Sequence, residues 1–200
     1  GRIWRITAKD RPMVQPPNLA AQDATEMLNL LRHRESWVRT QAKRRLAEMD
    51  SQELRPILNR WIDEAANDPQ REHLWYEAIG VCESHGFVNV HLLESLLSAQ
   101  EPLARAYATR VVRRWSSELT DPYSLLEARI RDSDPRVRME AVVALSHLLS
   151  PRSIELAMCA LDASVDPSLE YSLTQTVHAL APAWVPALKS GDLKFRKTEH

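Results

Sequence analysis

The sequence predicts an all-α protein, an α–α superhelix of about five stacked helical hairpins, and three observations carry that prediction. Only four of the 200 residues are glycine, while Leu, Ala, Arg and Glu abound, a balance that favours helices over sheets joined by tight turns. An acidic residue recurs at 35, 68, 101, 134 and 166, at intervals of 33, 33, 33 and 32, and four of the five are followed directly by Pro. An acidic residue before Pro starts a helix: the carboxylate accepts from N–H groups that have no partner in the first turn, and Pro at the first helical position gives up only an orphan donor. The third observation is a shared apolar face. Seven residues past each anchor stand Ala42, Trp75, Ala108, Ala141 and Leu173, and eleven past stand Leu46, Ile79, Val112, Leu145 and Val177, one helical turn apart.

Each repeat holds two helices. Upstream of the anchors run Met27, Leu28, Leu30 and Leu31; Leu54, Ile57, Leu58, Trp61 and Ile62; Leu92, Leu93, Leu96 and Leu97; Leu125, Leu126 and Ile130; and Ile154, Leu156, Met158 and Leu161, all apolar at helical spacing. The hairpins therefore fall at roughly 22–49, 51–86, 88–117, 121–149 and 151–181. One such hairpin cannot bury its apolar face alone, so stacked copies share a core and stability resides in the interfaces between neighbours. Pro56 and Pro186 lie inside apolar-periodic runs, where either a kink or a late helix start fits. Ahead of the hairpins, Gly1–Ile6 is short and β-prone, and a polar, Pro-rich passage follows from Lys9 to Asn18; this reads as an extended segment and a linker. The expected division is 1–18 for the end of a preceding domain plus linker, 19–189 for the repeats and 190–200 for a tail. Opening on Gly1 without Met and closing on a polar tail, the chain reads as a piece of a longer protein.

The segment Asp132-Ser133-Asp134-Pro135-Arg136-Val137-Arg138, continued by Ala141, Ala144 and Leu145, resembles the second helix of a HEAT repeat. Ser36-Trp37-Val38-Arg39 with Ala42, and Glu101-Pro102 with Arg105 and Ala108, share its register. In HEAT proteins the Asp and Arg six residues apart, here Asp132 and Arg138, resemble a ladder that bonds adjacent repeats. His33 and Ala99 stand in the Asp place of two other copies, and Glu72 and Glu170 in the Arg place of the remaining two, so the resemblance implies only a partial ladder. Taken with the opening Gly1-Arg2-Ile3-Trp4-Arg5-Ile6 and the closing Trp184 to Leu188, Gly191, Leu193 and Phe195, the order of segments resembles the large membrane-bound dehydrogenases of planctomycete and verrucomicrobial type. That resemblance implies a preceding propeller similar to sorbosone dehydrogenases, a haem c module carrying CxxCH further on, and a periplasmic or cell-surface parent, with this chain as the connecting piece and no cofactor of its own.

The residues themselves offer little chemistry. Seven histidines are scattered with no HExxH, HxH or His-Glu pair, which disfavours a metal site and argues against the HEAT-repeat iron hydroxylases. GxSxG, Walker and GxGxxG motifs are all missing, and no carboxylate pair stands out as catalytic. Cys82 and Cys159 stand alone, in hairpins too far apart for a disulfide. No apolar run approaches the roughly 18–20 residues that cross a bilayer. Six tryptophans are expected in the core and between repeats, with Trp4 and Trp184 turned towards neighbouring domains.

A net charge of −1, from 26 basic and 27 acidic residues, supplies no field to gather polyanions. A basic set does recur on the second helices, and Arg39, Lys43, Arg105 and Arg138 are the candidate interaction surface. The expected function is that of a non-catalytic scaffold binding neighbouring domains or another protein. The alternative is a nucleic-acid-binding or DNA-glycosylase-type domain that uses these cations as a concave stripe.

Overall fold

Acidic residues, prolines and small polar caps start almost every helix of the molecule. The computed structural model describes residues 4, 9, 10, 17, 19 and 23–197, and among them the regular structure is helical, with no strand. The extended segment expected over Gly1–Ile6 lies outside the described residues apart from Trp4, which is exposed. The helices pair as α1 (Ala24–Asn29, prolonged by a 3₁₀ turn over Leu30–Arg32) with α2 (Ser36–Leu46), and α3 (Ser51–Ala65) with α4 (Arg71–Ser84). Next come α5 (Val90–Leu97) with α6 (Pro102–Arg114), and α7 (Pro122–Arg129) with α8 (Pro135–Leu145). The fifth pair is α9 (Pro151–Met158, then a 3₁₀ turn over Cys159–Asp162) with α10 (Pro167–Ala179), and α11 (Ala181–Ser190) follows it.

The caps explain the starts. Asp134 accepts from the N–H groups of Arg136 and Val137 at 2.9 and 3.3 Å, and Asp166 from that of Leu169 at 2.8 Å. Glu101 accepts from Leu103, and Pro102, Pro135 and Pro167 each begin their helix. First helices use the same chemistry, with a reciprocal capping box between Asp23 and Glu26 on α1 and caps from Asp50, Asn89, Asp121 and Ser150.

Two anchors behave otherwise. Asp68 does not cap α4, which begins at Arg71; its carboxylate instead accepts from the Gln70 N–H at 2.8 Å and pairs with Arg32. Glu35 holds the cap position of α2 without a side-chain bond and faces Arg34 at 3.3 Å. Both prolines left open by the sequence lie inside helices, Pro56 in α3 and Pro186 in α11. Pro56 is on the exposed face, as is Gln52, whose carbonyl loses its donor to the ring and is left to solvent.

Second helices pack in succession, α2 on α4, α4 on α6, α6 on α8 and α8 on α10, and each also packs on the first helix of its own pair. The stack buries the repeated face: Ala42, Ala108, Ala141, Leu46, Ile79, Val112 and Leu145 are all fully shielded. One apolar cluster runs without a break from Met27 to Leu180. Trp61 and Trp115 belong to it, whereas Trp37 is 55% exposed and outside the core that the sequence assigned to it. Position 37 is the second residue of α2, directly before Val38 of the buried stripe Val38, Ala42 and Leu46 and so about 100° round the helix from it, facing outward.

Candidate interaction surface

Positions 39, 72, 105 and 138 follow one another at intervals of 33 residues, near the start of successive second helices. Each reaches to the next hairpin. Arg39 donates through Nε to Glu77 at 2.8 Å, and through Nη1 to the carbonyls of His33 and Arg34 in its own loop at 2.8 and 2.9 Å. Arg105 forks onto both carboxylate oxygens of Asp132 at 2.8 and 2.9 Å, while its Nη1 holds the carbonyls of Ala99 and Gln100. Arg138, only 2% exposed, donates to the carbonyls of Asp132 and Ser133 and, at 2.7 Å, to that of Ser164 in the next hairpin.

At position 72 the polarity reverses. The Glu72 carboxylate accepts from the backbone N–H groups of Gln100 and Glu101 at 2.9 and 3.1 Å. Within one helix that task belongs to an acidic residue at the third helical position, which in α6 is Ala104; the preceding hairpin supplies the carboxylate instead. This register position therefore bonds across all four interfaces, but only Arg105–Asp132 joins an Arg to an Asp, so the Asp–Arg ladder itself is partial, as the resemblance implied. An Asp–Arg pattern misses a carboxylate that serves donors rather than a cation.

Asp132 shows the electrostatics of such a link. Burial works to raise its pKa, but the hydrogen bond from Arg105, the Asp134 N–H and the charges of Arg105 and Arg129 overcome it and leave the pKa lowered. Arg129 goes the other way, its pKa lowered by burial against the pull of Asp132.

A gap in the stack lies where α2, α4 and α6 meet. A cavity of about 460 Å³ opens there, lined by Arg39, Glu72, His73, Tyr76, Glu77, Glu101, Leu103 and Ala104. A second of about 190 Å³ shares Tyr76 and Leu103 with it and adds Ala106, Tyr107, Arg110, Arg136 and Glu140, so the two form one groove along the second-helix ridge. Its floor holds a buried carboxylate: Glu77, 3% exposed, receives Arg39 and, at 2.5 Å, the Lys43 ammonium. His73 lies 4.0 Å away, its pKa lowered by burial against the Glu77 charge, with Arg39 and Lys43 adding to the lowering. The Tyr76 and Tyr107 rings pack at 4.9 Å, Arg110 lies over Tyr107 at 4.6 Å, and the Tyr107 hydroxyl donates to Glu83. Leu103 stands in the groove 53% exposed. Burial raises the pKa of Glu140, against the charges of Arg110, Arg113 and Arg136.

Of the four cations expected on an interaction surface, only Arg39 lines this groove. Lys43 lies beneath it on Glu77, and Arg105 and Arg138 are committed to the seams between hairpins. Glu77, Tyr76 and Leu103 were not singled out by the sequence; the available signal was the break in the small-residue register, where Trp75 stands in the place of Ala42, Ala108 and Ala141. Among the described residues no group of three or more His, Cys, Asp and Glu side chains gathers to hold a metal ion. Both cysteines are buried and free, and burial pushes the Cys82 thiol up to about 12. Among the described residues no helix is long and apolar enough to cross a membrane.

Comparison with known proteins agrees with this architecture. A family model described as HEAT repeats matches residues 89–177, the stretch running from the start of α5 into α10. Over that stretch the chain is a HEAT-repeat domain. Among solved structures, the crystal structure of an engineered protein from a structural genomics consortium aligns with a TM-score of 0.50 at 16% identity, covering 86% of this chain and 88% of that one. A second engineered protein from the same consortium aligns at 0.44, with 15% identity and 85% of each chain covered. At that identity the first likeness speaks for the fold alone. No curated protein matches the chain. The groove straddles the start of that match: its α2 and α4 residues, Arg39 and Glu72 to Glu77, precede residue 89, and its α6 and α8 residues lie within the matched stretch.

Proposed function

We propose that the chain is a non-catalytic scaffold whose second-helix ridge docks a segment of a protein partner, with the groove across α2, α4 and α6 as the docking site. The observation that carries this reading is a half-exposed Leu103 beside the Tyr76–Tyr107 pair, rimmed by Arg110 and Arg136, on a ridge whose helices are tied together by the ladder. A ridge fixed in that way does not have to be ordered on binding, which lowers the entropic cost of association. The groove suits an extended segment with an apolar side chain for Leu103 and acidic ones for Arg110 and Arg136. Selection of displayed peptides on the intact chain, with counter-selection on Leu103→Arg, tests it. Apolar–acidic peptides that lose binding to the variant are expected; selection of none, or of peptides indifferent to Leu103→Arg, would overturn the reading.

On the finer level, we propose that this scaffold spaces a sorbosone-dehydrogenase-like propeller from a haem c module in an exported parent. Its support is the order of the opening, central and closing segments described above. Sequencing the parent reading frame tests it: β-propeller blades upstream and CxxCH downstream are expected, and neither would leave a free-standing repeat domain.

A further inference from the structure

Most cations of the second-helix ridge are already paired. Arg39 and Lys43 meet at Glu77, Arg105 forks onto Asp132, and Arg114 holds Glu83 at 3.0 Å. Arg138 is spent on backbone carbonyls. Arg110, Arg113 and Arg136 differ from these: among the described residues none of them forms an ion pair with a carboxylate. Their common neighbour is Glu140, whose carboxyl feels the charge of all three without touching any of them. Three guanidinium groups around one carboxyl leave an excess of at least two positive charges at the α6–α8 end of the groove.

Helix geometry gathers this cluster. Arg110 and Arg113 are three residues apart on α6, and Arg136 and Glu140 four apart on α8, each pair within one turn. The cavity of about 190 Å³ is lined by Arg110, Arg136 and Glu140 together with Tyr76, Leu103 and Tyr107, so the charge adjoins the apolar part of the groove. The Arg110 guanidinium lies over the Tyr107 ring at 4.6 Å; having spent its face on the ring, it keeps its in-plane N–H groups for an anion. Arg113 brings Nη1 to 3.3 Å from Nε2 of His147, and an imidazole nitrogen that accepts from a cation carries no charge to offset it. Burial raises the Glu140 pKa against all three cations, as befits a carboxyl that none of them reaches.

We propose that this end of the groove takes a phosphoryl group, carried on a serine or threonine of the docked partner segment, between Arg110 and Arg136. The inference rests on the docking reading above and names the anion that the segment brings. A phosphorylated serine or threonine carries about −1.5 to −2 charges near pH 7 and three strong acceptor oxygens, which match the excess charge and reach donors on two helices at once; a single Asp or Glu leaves part of that excess unmet. Leu103 precedes Arg110 by seven residues of helix, about 10 Å, a span that an extended segment covers in about three residues. The segment therefore sets an apolar side chain on Leu103 about three positions from the phosphoryl group. A nucleic acid needs a run of available cations along its backbone, and this ridge has one local cluster flanked by cations that are already paired. Free phosphate makes no use of Leu103 or the tyrosines.

The probes are immobilised peptide libraries with one fixed phosphoserine between degenerate positions, and the same libraries with serine or glutamate at that place. They are exposed to the intact chain, and the selected sequences are measured by fluorescence anisotropy. Phosphoserine peptides with an apolar residue about three positions away are expected, binding at least about tenfold tighter than their serine and glutamate counterparts. Arg110→Gln and Arg136→Gln, both at exposed positions, are each expected to remove most of that difference. Glu140→Gln, which takes away the competing carboxyl, is expected to tighten the phosphopeptide about threefold or more, and Arg114→Gln, whose cation serves Glu83, to change nothing. Phosphoserine, serine and glutamate peptides that bind alike through Leu103 would overturn the phosphoryl site and leave the docking groove standing; selection of no peptide would overturn both. Displacement of the phosphopeptide by inorganic phosphate or by a single-stranded oligonucleotide at equal concentration would also overturn the proposal, the first pointing to a free anion and the second to a nucleic acid.

Discussion

The seam between α6 and α8 and the junction of α2, α4 and α6 are built on one repeat, yet the first is close-packed beneath the end of the groove at Arg136 and Glu140, and the second opens into the groove's wider part. On α6 and α8 the facing residues are small: Ala108, Ala141 and Ala144 are all buried, and small side chains let helices approach closely. On α4 the corresponding face carries Trp75, Tyr76 and Glu77, and α6 answers with Tyr107. Bulk and charge hold the helices apart, and Gly80 marks where contact resumes: a Cβ there would lie 3.3 Å from the Tyr107 hydroxyl oxygen. Late initiation of α4 at Arg71 adds to the difference. Small residues in the register make a rigid rod, and replacing them at one repeat makes a site.

The comparison breaks most readily at Ala141. Ala141→Asp, which puts a carboxylate into the fully buried seam, is expected to cost about 3 kcal/mol or more, whereas Leu103→Asp in the groove is expected to change stability by less than about 0.5 kcal/mol. Equal shifts in the urea midpoint would mean that the two regions do not differ in packing. The ladder gives the next largest contrast. Arg138→Met leaves three carbonyls at the buried seam without their donor and is expected to cost about 2–3 kcal/mol; Glu72→Gln, beside the groove and more accessible, about 1 kcal/mol. A reversal of that order would relocate the stress of the stack to its open half.

Acid sharpens the same point. The folded pKa of Asp132 is lowered, so its contribution is fully present above the ordinary carboxylate range and is lost as pH falls below it. Thermal melts between roughly pH 5 and 3 are expected to fall less steeply for Asp132→Asn than for the unmodified chain; parallel curves would show that the Arg105 pair contributes nothing. The smallest effect concerns the back of the open half. Cys82 lies 1% exposed behind the groove, and with its thiol pushed up to about 12 its alkylation at pH 8 is expected to be at least about tenfold slower in the native chain than in urea. Equal rates would mean that the opening extends through both layers.

The sequence read alone determined the hairpins, because helix caps and apolar periodicity act within a few residues of one another. The Asp-Pro starts of α8 and α10, the buried Ala at 42, 108 and 141 and the paired first helices all follow from spacing, and so does the ladder position, since Arg39, Arg105 and Arg138 share a register. What each of these side chains does was decided by tertiary structure. Arg138 reads from its neighbours as a candidate surface cation, but the fifth hairpin covers it and turns it into a clamp on three carbonyls. Glu72 reads as a gap in the ladder, but the loop before α6 arrives with two N–H groups and makes it a cap. Glu77 becomes a buried ion-pair centre only because α2 lies alongside α4, bringing residues 34 and 38 positions distant into contact. Local periodicity sets which face of a helix turns inward; the partner that meets that face comes from another hairpin, and its distance in sequence carries no periodic mark.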